Sequence, residues 1–152
     1  MFKEANILKS KRQMEVISIT SCRINAIYTQ WAKNHGISYN TLMVMTAIYE
    51  IGPCAQRDIC EGWLIPKQTV NTVVKDLEKK GFLSREQGRD KKEKLISFTS
   101  EGKKFAESFL NDTADLENKV CDILGEDSTF ELAKSMVIFA NTLQGEAEKN
   151  GK

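Results

Sequence analysis

Residues 66–98, PKQTVNTVVKDLEKKGFLSREQGRDKKEKLISF, change their hydrophobic period partway along, and that change narrows the choice of folds more than any other feature of the chain. At about 100° per residue, Val70, Val73, Val74 and Leu77 fall on one side at i, i+3, i+4 and i+7, the stripe of a core-facing helix. Pro66 suits the first turn, where its missing N–H would be unpaired in any case. Gly81, just past Lys79 and Lys80, ends the helix. After Gly81, residues 82–87 and 94–98 are short runs of β-formers separated by the turn residues Gln87-Gly88-Arg89-Asp90, which predicts a hairpin.

Opposite the apolar stripe stand Gln68, Asn71, Thr72, Lys75 and Lys79. All five can hydrogen-bond base edges or phosphates from one face, as a helix lying in a major groove must. Taken alone, such a face reads more simply as a solvated surface. The ribbon adds Arg85, Arg89, Lys91, Lys92 and Lys94, diluted by Glu86, Asp90 and Glu93, and so many cations in a small hairpin favour a nearby anion. A polar helix beside a cationic ribbon suggests a nucleic-acid reader.

The net charge of +1 would not suggest this, but its distribution does. Residues 67–104 carry 11 Lys+Arg against 6 Asp+Glu, residues 105–152 carry 4 against 10, and residues 1–66 have a net charge of +2. A basic middle is therefore followed by an acidic end. At 152 residues, 41% hydrophobic and 28% charged, the chain has one soluble domain's length and can bury a sizeable core.

Other function classes find little footing. No apolar run is long enough to span a bilayer, and the N-terminus lacks the apolar core of a secretion signal, so a cytoplasmic location away from membranes is expected. Cysteines at 22, 54, 60 and 121 form no CxxC pair, and His35 is the sole histidine, so no metal site is expected. With no Gly-rich phosphate loop and no nucleophile beside an identifiable base, neither an enzyme nor a cofactor is expected.

The flanking segments read as helices. Over residues 10–34, Ile17, Ser21, Ile24, Tyr28 and Trp31 recur at 4, 3, 4, 3 spacing, the pattern of a helix packed along another, within the chain or across a dimer. His35-Gly36 ends it, with His35 as a C-terminal cap. Ser38 is placed as N-cap of a core helix over 39–51 faced by Leu42, Met45, Thr46 and Tyr49, with Val44 and Ile48 beside that face, and Gly52-Pro53 breaks it. A short helix is expected over 54–61, then a turn in which Trp63 anchors the core. Past the hairpin, Thr99 or Ser100 caps a helix running to about Leu124, striped by Phe105, Phe109, Leu116, Val120 and Ile123. Gly125 breaks it. Asp127 or Ser128 caps a last helix striped by Phe130, Ala133, Val137, Ala140 and Leu143, which ends at Gly145 before a frayed tail.

From residue 37 to 104 the succession resembles the MarR family of bacterial winged helix-turn-helix regulators. The resemblance rests on Ile37-Ser38, on Gln56 to Cys60 and Ile65 to Leu77 as the two helices of the motif, and on Leu77-Glu78-Lys79-Lys80-Gly81-Phe82-Leu83 with Arg85. Asp90-Lys91-Lys92 and Leu95-Ile96-Ser97-Phe98-Thr99-Ser100-Glu101-Gly102 complete it. It implies a mainly α fold with a small β-hairpin wing, as one domain over 1–152. A DNA-binding lobe would span 37–104, with residues 1–36 and 105–152 as long dimerisation helices.

The function implied is a homodimeric, cytoplasmic repressor of transcription that binds double-stranded DNA and is released by a small, frequently aromatic effector. Gln68, Asn71 and Thr72 would contact bases, and Lys67, Lys75 and Lys79 phosphates. Arg89 and Lys92 would reach the minor groove or its flanking phosphates, with Asp90 holding the wing loop. The family's wing signature is Asp-x-Arg, and Lys92 stands in the Arg place here; Arg is better suited to a narrow minor groove. Tyr28, Trp31 and Trp63 are candidates for lining an effector cleft, although packing is the commoner role of such aromatics. Cys22 reads as a structural thiol. The alternative is a winged helix that binds proteins and not DNA.

Overall fold

Six helices and one hairpin follow each other in the order α1 (Phe2–Asn34), α2 (Tyr39–Ile51), α3 (Gln56–Trp63), α4 (Lys67–Lys79), β1 (Leu83–Gln87), β2 (Lys94–Phe98), α5 (Ser100–Leu124) and α6 (Glu126–Asn150). The structure is a computed structural model that describes residues 2–88 and 94–150. The chain divides into two compact units, Met1–Glu107 and Ser108–Lys152.

In the first unit α2 is the central element. Leu42, Val44, Met45, Ala47 and Ile48 are buried around most of its circumference, because α1, α3, α4 and β2 all pack on it. The expected face is therefore shifted: Tyr49 is exposed, and Thr46 is half-buried with its hydroxyl donating to the Leu42 carbonyl at 2.8 Å. Ser38 caps α2 as expected, its Oγ accepting from the Thr41 N–H at 3.0 Å. Ile59, Ile65, Val70, Val73, Val74, Leu77, Leu83 and Ile96 complete this core. Each such side chain, fully buried, contributes roughly 1.5–3 kcal/mol of transfer free energy.

α1 begins at Phe2, earlier than its apolar spacing indicated. It closes at Gly36, where Gly36 N–H bonds the Lys33 carbonyl and Ile37 N–H the Ala32 carbonyl, a Schellman cap. The short helix starts at Gln56 and not at Cys54. Cys54 is instead in extended backbone paired with Ile96, donating to its carbonyl at 3.1 Å and accepting from its N–H at 2.7 Å. At the start of α3 half of a capping box is made by Asp58, whose carboxylate accepts from the N–H of the N-cap residue Ala55 at 2.9 Å.

Trp63, the last residue of α3, is half-buried, while Ile59 within the helix and Ile65 just beyond it are fully or nearly fully buried. Leu64 between them adopts a left-handed conformation (φ 51°) with its side chain 88% exposed.

The second unit holds the remainder of α5, then α6. Phe109 and Leu110 are buried, whereas α6 buries no residue at all. Gly125 (φ 83°) separates the helices, and α6 starts immediately at Glu126, earlier than the expected caps at Asp127 or Ser128. It runs through Gly145 to Asn150. The tail expected to fray is held by Lys149 on Glu146 (2.6 Å), Gln144 on Glu148 (2.9 Å) and the Asn150 amide on the Glu146 carbonyl (2.9 Å). Among the described residues no helix is long and apolar enough to cross a membrane.

Candidate nucleic-acid interface

α4 extends from Lys67 to Lys79 with Pro66 at its N-cap. Its two faces separate as the sequence spacing predicts. Val70, Val73, Val74 and Leu77 are buried, while Lys67, Gln68, Thr72, Lys75 and Lys79 are exposed and Asn71 is half-buried. Thr72, exposed, donates its hydroxyl proton to the Gln68 carbonyl at 2.9 Å, and its oxygen can still accept.

Both acids of the helix are matched by cations. Asp76 pairs with Lys80 at 2.7 Å, and Glu78 takes both arms of the Arg85 guanidinium, Nε to one oxygen and Nη2 to the other at 3.1 Å. Lys67, Lys75 and Lys79 make no ion pair among the described residues. An exposed polar face whose own acids are neutralised and whose lysines remain available attracts phosphate.

The end of α4 is fixed with equal care. Gly81 (φ 77°) is the left-handed residue of a second Schellman cap, with Gly81 N–H on the Glu78 carbonyl and Phe82 N–H on the Leu77 carbonyl, both at 2.9 Å. Thr99 then ties this corner to the start of α5. Its hydroxyl donates to the Gly81 carbonyl (2.7 Å) and accepts from the Gly102 N–H (3.0 Å), and its N–H bonds the Phe82 carbonyl (3.1 Å). Gly102 lies directly under Phe82: a Cβ there would come within 1.8 Å of the Phe82 carbonyl oxygen. The Phe82 and Phe105 rings stack 4.4 Å apart.

β1 and β2 pair antiparallel from Leu83↔Phe98 to Gln87↔Lys94, the strands the sequence predicted apart from Phe82. Lys94 is exposed at the far end of this ribbon. Arg89, Asp90 and Lys92, assigned to the wing from the sequence, lie outside the described residues. Sequence reasoning missed the Glu78–Arg85 pair. The signal was present, since an acid in a helix's last turn is unfavourable next to the dipole's negative end and calls for a cation.

The aromatic candidates divide. Trp31 stacks on His35 with centroids 3.6 Å apart, and His35 Nδ1 lies 2.9 Å from the Trp31 carbonyl, so the proton of that contact sits on Nδ1 and the histidine acts as a helix-end donor. Tyr28 and Tyr39 rings are 6.4 Å apart. Among the described residues no ring contact joins Trp63 to either pair.

Cys22 and Cys121 are exposed; Cys54 is buried, which together with the charge of Asp58 pushes its thiol pKa up to about 11, so it is protonated and unreactive at neutral pH. Among the described residues no group of three or more His, Cys, Asp or Glu could hold a metal.

Comparison with known proteins agrees with this geometry. Residues 35–93 match the model of the MarR family. An uncharacterised HTH-type transcriptional regulator of Bacillus subtilis, YwoH, is 35% identical over 69 residues, 45% of this chain and 50% of that protein, so the match spans half of that relative's length. The structure of NMB1585, a MarR family regulator from Neisseria meningitidis, superimposes with a TM-score of 0.82 at 25% identity, covering 91% of this chain and 98% of that one. S. aureus MepR, solved as a DNA complex, shares the fold with a TM-score of 0.71 at 18% identity over 84% of this chain and 94% of its own. In its fold, its α4–hairpin arrangement and these matches, the chain is similar to the MarR family of transcriptional regulators, most clearly over residues 35–93.

Proposed function

We propose that the chain is a homodimeric repressor that binds an imperfect palindrome in double-stranded DNA through α4 and the hairpin, and that a small aromatic effector releases it. In this reading the chain is a transcription regulator and not an enzyme, in keeping with the MarR regulators it resembles. The observation that carries the DNA reading is the outward face of α4, where Lys67, Lys75 and Lys79 stay unpaired among the described residues while Asp76 and Glu78 are both neutralised. MepR, which shares the fold, binds DNA and lends the reading support.

In this reading Gln68, Asn71 and Thr72 read base edges, and Lys67, Lys75 and Lys79 contact phosphates. Arg89 and Lys92 serve the minor groove and its flanks, with Asp90 as their partner. The dimer is supported by apolar side chains left exposed in the single chain: Met14, Ile24 and Ile27 on α1, and Phe130, Val137 and Leu143 on α6. Two copies related by a two-fold axis place their α4 helices in successive major grooves, ~34 Å apart. The effector has the thinnest support, the Tyr28–Tyr39 and Trp31–His35 ring pairs where α1 meets α2.

Selection of preferred duplexes from a random pool at moderate salt tests the whole reading. The expected output is a pair of half-sites about one helical turn apart, with Asn71→Ala relaxing the preference while leaving random-duplex binding nearly intact. A purified chain that is strictly monomeric and enriches no duplex would contradict it.

A further inference from the structure

We propose that the Glu78–Arg85 pair is a strap that holds the root of the hairpin against the last turn of α4, so that the helix and the wing meet DNA as one surface. The proposal rests on the duplex-binding reading above and names Arg85 as a positioning residue for it.

Glu78 is poorly placed by every local criterion. It sits in the last turn of α4, where the helix dipole disfavours an anion. It lies three residues past Lys75 and seven past Asn71, and so borders the face offered to phosphate. It is also half-buried, its side chain 25% exposed, so its charge is partly stripped of water. What compensates is the fork of Arg85, which reaches across from β1 with Nε on one carboxylate oxygen and Nη2 on the other. A two-pronged guanidinium–carboxylate contact fixes orientation as well as distance, which a lysine cannot do.

Besides the strap, two attachments hold the root of the hairpin. Cys54 pairs with Ile96 on β2, the residue opposite Arg85 in register. Thr99 holds Gly81 and Phe82. The Cys54–Ile96 attachment is backbone to backbone, and the Thr99 attachment runs from its hydroxyl and N–H to backbone carbonyls. Among the described residues the strap is the ion pair that joins side chains of α4 and β1, beside the polar face, and it can be cut without touching the core.

The strap has a consequence opposite to that of simple charge counting. Removing the negative charge of Glu78 from the border of an anion-binding face should strengthen DNA binding if Glu78 were only a repulsive neighbour. With the strap, Glu78→Gln frees the hairpin root and weakens binding.

The test uses the full chain, with affinity for a random-sequence duplex at low salt and backbone amide hydrogen exchange measured on the same variants. Glu78→Gln and Arg85→Lys are each expected to weaken duplex binding by about fivefold, the size of one partly exposed ion pair. Adding Lys92→Ala to Glu78→Gln should cost less than Lys92→Ala alone, because the wing is already misplaced. Without any DNA, exchange should quicken in residues 83–87 and 94–98 and stay unchanged in α2. Binding by Glu78→Gln as tight as, or tighter than, that of the unaltered chain overturns the strap, and so does unchanged exchange in the hairpin. If the unaltered chain bound no duplex, the DNA reading would fall, while hairpin exchange would still decide on the strap.

Discussion

α4 and α6 carry apolar stripes of the same helical spacing and meet opposite fates. Val70, Val73, Val74 and Leu77 are 0%, 9%, 0% and 1% exposed, while Phe130, Val137 and Leu143 are 65%, 60% and 52% exposed. The stripe in each case marks which side of the helix water disfavours. What covers that side is decided elsewhere: α2, α3 and β1 pack on α4, whereas α6 has no buried residue within the single chain. A closed stripe makes a fold, and an open one of this size asks for a second molecule.

The contrast can be broken most forcefully at Gly102. Its Cβ would collide with the Phe82 backbone, which is itself locked by the α4 cap and Thr99, so Gly102→Ala should destabilise the first unit by about 4 kcal/mol or more, a loss exceptional for one substitution. Gly62→Ala, which meets open space in α3, is the control and should gain up to ~1 kcal/mol from helix propensity. Urea midpoints of the two variants compare them directly, and similar midpoints would mean the corner of α4 and α5 is looser than described.

A smaller effect separates the two stripes themselves. Leu77→Ala should cost about 3 kcal/mol at every protein concentration. Phe130→Ala should change the stability of a dilute chain by less than about 0.5 kcal/mol, yet remove the rise of melting temperature with concentration that a dimer confers. Thermal unfolding over a dilution series reads both. A concentration-independent melting point in the unaltered chain would leave the open stripe without a partner.

The smallest effect concerns pH. The Cys54 thiol moves from an ordinary 9.0 to about 11 because burial, aided by Asp58, disfavours the thiolate. The unfolded chain releases this proton first. The stabilisation is therefore complete below pH 9.0 and is lost as pH rises toward 11. Cys54→Val should flatten that part of the stability profile, and thiol labelling at neutral pH should modify Cys22 and Cys121 before Cys54.

Much of the fold was legible because period and punctuation coincide. Ser38, Gly81 and Gly125 mark element ends by chemistry that acts within a few residues, and α4 with its hairpin followed from a change of period across Gly81. The misreadings arise where distant contacts override local signals. Cys54 looked like a helix start but is drawn into extended backbone by Ile96, 42 positions on in sequence. Gly145 looked like a helix end, yet side-chain pairs around Glu146 carry α6 past it. On α4, spacing told that Gln68, Asn71, Thr72, Lys75 and Lys79 lie opposite the buried stripe, while Lys67 entered only through the family resemblance. The Glu78–Arg85 pair was not readable from spacing, because it spans a turn whose geometry fixes the distance.

The central claim, that α4 and the hairpin form a surface for duplex phosphates, is tested most directly by the salt dependence of random-duplex binding. The unaltered chain should show a steep linear fall of log affinity with log salt, and Lys75→Ala and Lys79→Ala should each reduce the slope by about 0.9. Absence of binding in dilute buffer, or a slope that neither lysine changes, would contradict the account.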